Sequence, residues 1–212
     1  MLKKKHVKSL ELLSEARSMA EKNKWYKQLF LAQNNIGNNY YMLLDYGEAL
    51  KQYLLSYQIA IEHLDAKHEM IVLNNIAILY SKEEKFDKAK EHFQKAFVIA
   101  ERDKDSLKMG LHSMNLGSLS NAKKEPQKAI VYLKKALRYT NHAAVKLPTL
   151  IAICNSDFLL GNYQKARQQA IALLPELKGE ENSDNRVNVL TIIAKCYLKE
   201  NNLAATLQWA NN

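Results

Sequence analysis

Asn75-Ile76-Ala77-Ile78-Leu79-Tyr80 is the stretch that decides the fold, because related stretches occur at a fixed distance on either side of it. Asn35-Ile36-Gly37-Asn38-Asn39-Tyr40 begins 40 residues earlier, and Asn115-Leu116-Gly117-Ser118-Leu119-Ser120 begins 40 residues later. Self-similarity at a constant period is the sequence signature of a repeat architecture. The period therefore predicts a series of copies of one supersecondary unit.

A second pattern follows each of these stretches and keeps the same period. Its members are Ala49, Tyr53 and Ser56, then Ala89, Phe93 and Ala96, then Ala129, Leu133 and Ala136. Further copies occur at Ile153-Cys154 and at Ile193-Ala194, and Ser9, Leu13 and Ala16 match the second pattern upstream. We divide residues 1–212, as a single domain, into a half-unit at 3–24 and five units at about 29–65, 69–105, 109–142, 148–178 and 186–212. Because the copies break off at both ends, we interpret the chain as a fragment of a longer protein.

The small residues explain how each unit folds. Gly37, Ala77, Gly117, Cys154 and Ala194 share one position of the first pattern, and alanine recurs in the second. Two helices approach closely only where side chains are small, and spacings of three and four place the larger apolar residues on one stripe. These features predict antiparallel helix hairpins that bury a continuous core by stacking. Pro148 is expected to open the first helix of the fourth unit, and Pro175 to end or kink the second.

Composition agrees with an all-α fold and limits the class of protein. The chain has 6 glycines and 3 prolines in 212 residues, too few for the many turns of an all-β fold. Its net charge of +9 is concentrated in residues 3–27 and 123–138. We interpret these lysines as solvating helix faces, because nucleic-acid binding should come with groove-entering or base-stacking elements. Cys154 and Cys196, both inside helical patterns, are expected to be small buried apolar residues.

The two patterns together resemble the tetratricopeptide repeat, in which a small residue and an aromatic precede an alanine and a second aromatic or leucine. The resemblance covers nearly the whole chain and implies an all-α, right-handed superhelical solenoid of antiparallel hairpins. The usual period is about 34 residues, so the extra residues near His63–Glu69, Arg102–Lys108 and His142–Leu147 should lengthen helices or loops. Such long repeats are similar to those of the bacterial peptide-pheromone receptors called Rap, NprR and PlcR, of sensory segments of bacterial regulators, and of kinesin light chains.

The resemblance implies that the first helices line a concave, ligand-binding groove. Asparagines recur there, and a carboxamide offers both a donor and an acceptor to a peptide main chain. The alternative is structural, since such asparagines can also bond neighbouring helices. The candidate groove residues are Asn34, Asn35, Asn38, Tyr41, Asn74, Asn75, Ile78, Lys82, Met114, Asn115, Asn155 and Lys195.

No catalytic motif is found: there is no glycine-rich phosphate loop, no Gly-x-Ser-x-Gly and no His-Glu-x-x-His. No two of the six histidines have the spacing of metal ligands on one helix. We expect these side chains to face solvent. The sequence therefore predicts no enzyme, no metal site and no cofactor. It predicts a peptide- or protein-binding module, the sensory or scaffolding part of a bacterial regulator.

Other partners and the location of the protein complete the expectations. Self-association through the terminal helices is the main alternative, and nucleic-acid binding by the basic segments is less favoured. Few cations accompany the asparagines, which disfavours a clamp for chaperone carboxy termini. No apolar run is long enough to span a membrane. We expect a cytoplasmic protein, or a periplasmic one if a signal peptide lies outside this sequence.

Overall fold

The computed structural model describes residues 2–179 and 182–210, with side chains from residue 6 onward. Every regular element in this part of the chain is helical, which confirms the predicted all-α class. The helices are α1 (Leu2–Lys22), α2 (Tyr26–Met42), α3 (Tyr46–His63), α4 (Ala66–Lys82), α5 (Phe86–Arg102), α6 (Ser106–Ala122), α7 (Pro126–Tyr139), α8 (Ala143–Leu159), α9 (Tyr163–Leu173), α10 (Ser183–Lys199) and α11 (Leu203–Ala210). No described helix is both long and apolar enough to cross a membrane.

The contacts group the chain into two compact units, Met1–Asp103 and Lys104–Asn212. In the first unit each of the helices α1 to α5 packs against the next along the chain. In the second unit consecutive helices from α6 to α11 also pack together, and in addition α6 contacts α8 and α8 contacts α10. The predicted single domain over 1–212 stays a prediction, and the two units are described separately below.

Two of the hairpins cross closely at the predicted small residue. A Cβ added to Gly37 of α2 would lie 2.6 Å from a ring atom of Tyr53 on α3. A Cβ added to Gly117 of α6 would lie 2.6 Å from Cγ of Leu133 on α7. Since van der Waals contact begins well beyond these distances, the two helices could not approach so closely around a larger residue. The prediction that small positions mark tight crossings is confirmed at Gly37 and Gly117.

The first helices begin three to five residues before the predicted boundaries, so the long period lengthens helices rather than loops. Asp65 accepts hydrogen bonds from the backbone N–H groups of Lys67 and His68, and Asp105 accepts one from Lys108. Both are N-caps that satisfy donors of the first helical turn. The sequence signal for these helix starts is the aspartate before the apolar pattern, Asp65 or Asp105.

Pro148 lies inside α8, and the prediction that it opens this helix is wrong. The helix begins at Ala143, after His142, whose ring nitrogen accepts from the Ala144 N–H at 3.3 Å. Proline removes one backbone bond, but the turn around it is held by burial, since Val145 is 1% and Thr149 0% exposed. The Thr149 hydroxyl also donates to the Val145 carbonyl at 2.6 Å. Packing therefore outweighs the lost hydrogen bond.

Pro175 acts as predicted, because α9 ends at Leu173 and a 3₁₀ turn, Leu174–Glu176, follows. Cys154 and Cys196 are free and buried in the apolar core of the second unit. Burial raises the pKa of the Cys154 thiol to about 12 and that of Cys196 to about 11. Both therefore stay protonated and behave as small apolar side chains, as expected.

His112 on α6 contradicts the expectation that the histidines are solvated. Its side chain is 1% exposed, and neither ring nitrogen has a hydrogen-bond partner among the described residues. Burial, and secondarily the charge of Lys108, lower its pKa from the ordinary 6.5 to about 4, while Asp105 opposes the shift. The repeat alone gives the reason for burial, because Val72 occupies the same position 40 residues earlier and is fully buried.

The crossing predicts that Gly117→Ala is destabilising. A Cβ at residue 117 would clash with Leu133 and also lie 3.2 Å from the Ala129 carbonyl oxygen, and overpacking of this kind costs about 1–3 kcal/mol. Urea unfolding would measure the loss in free energy. Gly47→Ala in α3 is the matched control, since the nearest atom would be Asp45 Oδ1 at 3.8 Å. That variant should be stabilised by roughly 0.5 kcal/mol, and equal effects of the two variants would contradict the account.

The burial of His112 predicts a specific dependence of stability on pH. The unfolded state binds a proton near pH 6.5 and the folded state only near pH 4, so stability rises with pH between these values and is constant above them. The contribution is at most about 3 kcal/mol, at 1.4 kcal/mol per pKa unit. His112→Val should remove this slope from urea unfolding measured between pH 4 and 7. His63→Gln, at an exposed histidine, should retain it, and an unchanged slope in His112→Val would rule out the assignment.

Candidate functional site

Two of the predicted groove asparagines in the first unit bond to each other. Nδ2 of Asn75 on α4 donates to Oδ1 of Asn34 on α2, at 2.9 Å. Asn34 is only 7% exposed, and Asn75 is half-buried. This bond joins the first helices of successive hairpins, which is the structural role that the sequence left open as an alternative.

Asn38 is also engaged, in this case with its own hairpin. Its Nδ2 donates to Oδ1 of Asn35 at 3.3 Å, and its Oδ1 accepts from the Tyr53 hydroxyl of α3 at 2.8 Å. Tyr41, one turn further along α2, is half-buried against the Tyr46 ring at a centroid distance of 5.7 Å. Burial, followed by the proximity of Tyr46, raises the pKa of Tyr41, so its hydroxyl stays a neutral donor.

The other predicted residues of the first unit remain at least partly accessible. Asn35 and Lys82 are exposed, while Asn74 and Ile78 are half-buried. Exposed apolar side chains accompany them, since Leu31 is 46% and Ile71 40% exposed. The predicted residues of this unit therefore include an exposed carboxamide and an exposed cation beside apolar surface.

The second unit contains a cleft of about 310 Å³ between α8 and α10, which we call the α8–α10 cleft. Two of the predicted residues, Asn155 and Lys195, lie in its lining. Met114 and Asn115, also predicted, are half-buried on α6 but do not line this cleft. The full lining is Ser118, Pro148, Ile151, Ala152, Asn155, Asn185, Asn188, Thr191, Ile192 and Lys195.

The chemistry of the α8–α10 cleft is polar but nearly neutral. Asn155, Asn185 and Asn188 supply three carboxamides, and Lys195 is the cation. No carboxylate is among the lining residues, and Pro148 and Ile151 provide apolar surface. Carboxamides can donate and accept at the same time, so this lining suits a ligand with alternating donors and acceptors or with a negative charge.

A buried hydrogen-bond network fixes one wall of this cleft. Nδ2 of Asn121 on α6 donates to the Ala152 carbonyl of α8 at 2.9 Å, and Oδ1 of Asn121 accepts from the Ser156 hydroxyl at 2.9 Å. Asn121 and Ser156 are both buried. Ala152 is part of the lining. These bonds therefore hold the α8 wall of the cleft at a fixed distance from α6.

Sequence reasoning missed Asn121, Asn185 and Asn188. Asn185 lies before the predicted start of the fifth unit at residue 186, whereas α10 begins at Ser183, and Asn188 lies inside the predicted unit. With the correct start, Asn185, Asn188 and Lys195 are spaced by three and seven residues, which places them on one helical stripe. Asn121 gave no comparable signal, since its role depends on the position of a carbonyl on another helix.

Comparison with known proteins places this geometry in a family. The tetratricopeptide repeat family model matches residues 28–102 and 68–141, more than half of the chain. No curated protein matches the chain by sequence. The match covers the hairpins whose small crossing residues are described above.

Solved structures with low sequence identity share the fold. BtubC from P. vanneervenii superposes with a TM-score of 0.75 at 15% identity, covering 100% of this chain and 89% of its own. The apo form of RapI gives 0.77 at 18% identity, covering 98% of this chain and 57% of its own. Aspartyl phosphate phosphatase F from Bacillus subtilis gives 0.62 at 18% identity, covering 95% and 66%. At such identities these similarities establish the fold alone.

The bond between Asn34 and Asn75 predicts different effects for two neighbouring asparagines. Asn75→Ala should lower the free energy of unfolding by about 1 kcal/mol, because it removes the donor to a buried carboxamide oxygen. Asn35→Ala, at an exposed position of the same face, should change it by less than about 0.5 kcal/mol. Urea unfolding of both variants makes the comparison, and an equal loss in the two would argue against the bond as a structural element.

Proposed function

Because this chain belongs to the tetratricopeptide repeat family, we propose that it binds a peptide or protein segment along its first helices. We further propose that it serves as the sensory or scaffolding part of a bacterial regulator. The family assignment supports a protein-binding module, and the resemblance of the long repeats to peptide-pheromone receptors supports the sensory role. The proposal assigns no catalytic step to the chain.

The observation that supports this function most strongly is the lining of the α8–α10 cleft. An extended peptide presents main-chain donors and acceptors that need partners when they leave water. Asn155, Asn185 and Asn188 can supply both kinds of partner whatever the side chains of the ligand. The cleft volume of about 310 Å³ is at the lower end of the range for ligand pockets, which suits a few residues of a bound segment.

Selectivity would come from the other lining residues. Pro148 and Ile151 offer apolar surface to a side chain of the ligand. Lys195 offers a positive charge that favours a carboxylate, with a contribution that depends on how far the pair is removed from water. The ligand that fits this lining best is a short, partly apolar segment without positive charge.

In the first unit a smaller set of residues would contact the ligand. Asn35, Ile78 and Lys82 would contact a ligand, while Asn34, Asn38 and Asn75 would position the helices that present them. The same division holds in the second unit, where Asn121 positions α8 and Asn155 would bind. Asn74, Met114 and Asn115 stay candidate contacts.

Self-association through the terminal helices is a second candidate. The apolar side chains of Leu12 and Met19 support it, since they lie seven residues apart on one stripe of α1 and are both 59% exposed. A face of this kind is typical of a surface that another chain covers. It would act beside peptide binding rather than replace it.

An array of short unstructured peptides, with free and amidated carboxy termini, would test the proposed function. Peptides that bind the full chain should lose affinity roughly tenfold or more in an Asn155→Ala/Asn188→Ala double variant, which removes main-chain partners. Gln168→Ala is the control, because Gln168 is an exposed carboxamide of α9 outside the cleft. Calorimetry would measure the affinities. Unchanged affinity in the double variant, or an equal loss in the control, would refute the assignment.

A further inference from the structure

The helix α9 packs behind both walls of the α8–α10 cleft. The cleft is lined by residues of α6, α8 and α10, and α9 contacts both α8 and α10. Ala166 and Ala170 of α9 belong to the same core cluster as Ile151 of α8 and Ile192 of α10, which also line the cleft. The position of α9 therefore affects both walls.

One cation of α9 holds the α8 wall. Nζ of Lys165 donates to Oδ1 of Asp157 at 2.9 Å, and the Asp157 side chain is only 1% exposed. A carboxylate removed from water in this way needs a partner close by. Residues two apart on a helix point in directions about 200° apart. Because Asp157 faces α9, Asn155 is turned to the opposite side, where it lines the cleft.

A second cation of α9, Arg167, holds the α10 wall. Its guanidinium carbon lies 4.3 Å from the centroid of the Tyr197 ring, and its Nη1 forms an ion pair with Oε2 of Glu200. The side chains of Arg167 and Glu200 are 18% and 31% exposed, and solvent screens a partly buried pair less than an exposed one. A guanidinium that stacks on a ring and pairs with a carboxylate is fixed in orientation.

The contacts of Arg167 determine which side of α10 faces the cleft. Tyr197 and Glu200 are three residues apart and lie on one stripe of the helix. Lys195 stands two residues before Tyr197, so it points away from α9 and lines the cleft. Asn155 and Asp157 are the equivalent positions on α8, 40 residues earlier. Both walls are thus held from α9 through one residue and present another to the cleft.

The stacking of the repeat does not require the ion pair of Arg167. Counted from the shared small residues, the positions of Arg167 and Glu200 correspond to Ile130 and Leu160 one hairpin earlier. Both of those residues are apolar and half-buried. Successive hairpins therefore pack there without a charged pair, and the pair is a specific feature of the junction between α9 and α10.

We propose that Arg167 is a positioning residue for the α8–α10 cleft: it fixes the distance of α10 from α8 and turns Lys195 towards a ligand. The inference rests on the proposed function, because only a ligand that contacts both walls is sensitive to their distance. Asn155 and Asn188 can bond to one segment only within the narrow range of hydrogen-bond lengths, about 2.7–3.2 Å. A shift of α10 by about 1 Å would therefore lower the affinity, although Arg167 does not touch the ligand.

A distance measurement without any ligand tests the geometry. Nitroxide labels at Leu159→Cys and Lys199→Cys would mark exposed, equivalent positions at the carboxy-terminal ends of α8 and α10. The native Cys154 and Cys196 are buried and should stay unlabelled. Dipolar EPR spectroscopy of the folded protein then measures the distance between the two labels.

Arg167→Gln should shift or broaden the distribution of this distance, because the ion pair and the ring contact are both lost. The charge swap Arg167→Glu with Glu200→Arg restores the pair and should restore the distribution at least in part. Arg102→Gln is the matched control, since Arg102 forms an ion pair in the first unit. Gly37→Ala controls for a general loss of stability, because its added Cβ would clash within the first unit. Neither control should change the distance.

Peptides that bind the full chain show whether the cleft depends on the position of α10. Their affinity, measured by calorimetry under conditions in which all variants are folded, should fall about three- to thirtyfold in Arg167→Gln. The charge swap should recover most of this loss. Arg102→Gln and Gly37→Ala should leave the affinity unchanged.

The results separate this proposal from the proposed function. An unchanged distance in Arg167→Gln, or a changed distance with unchanged peptide affinity, would refute the role of Arg167 and leave peptide binding intact. An equal loss of affinity in Gly37→Ala would also refute it, because stability alone would then account for the effect. The absence of any peptide that binds the unsubstituted chain would refute the proposed function, while the distance would still decide whether Arg167 holds α10.

Discussion

The close crossing of two helices at one small residue is the constraint from which the other features follow. At Gly37 and at Gly117 the partner helix occupies the space that a Cβ would need. This contact fixes which face of each first helix is turned toward its own hairpin. The remaining faces must then either pack against the next hairpin or stay available to a ligand. The core, the asparagine bonds and the α8–α10 cleft are arranged within that limit.

The asparagines of the first helices differ in their surroundings. Where another hairpin brings a polar group close, the carboxamide joins the helices, as in the bond from Asn75 to Asn34 and in the contacts of Asn121 with α8. Where the neighbouring helix offers further carboxamides around a cavity, as beside Asn155, the group faces the α8–α10 cleft. Bonds between helices are thus observed at some asparagines, and ligand binding is proposed for others.

Most of the fold could be predicted from the sequence because the repeat averages over many positions. Five small residues in register indicated the hairpins, although any one of them would have been weak evidence. The burial of His112 could have been predicted from its equivalence to Val72, although residue type alone favours exposure of a histidine. The interior position of Pro148 could not have been predicted, since it depends on the burial of Val145 and Thr149. Which asparagines bond to another helix could not have been predicted either, because each bond depends on atoms from that helix.

We propose that ligands bind to the first helices of the hairpins and not to the outer faces of the second helices. Hydrogen–deuterium exchange of the full chain, with and without a saturating peptide selected for binding, tests this claim most directly. Bound ligand slows exchange where it contacts and orders the backbone. We predict that slowing in the second unit is concentrated in α8 and α10. Slowing confined to α7 and α9, with α8 and α10 unchanged, would contradict the claim.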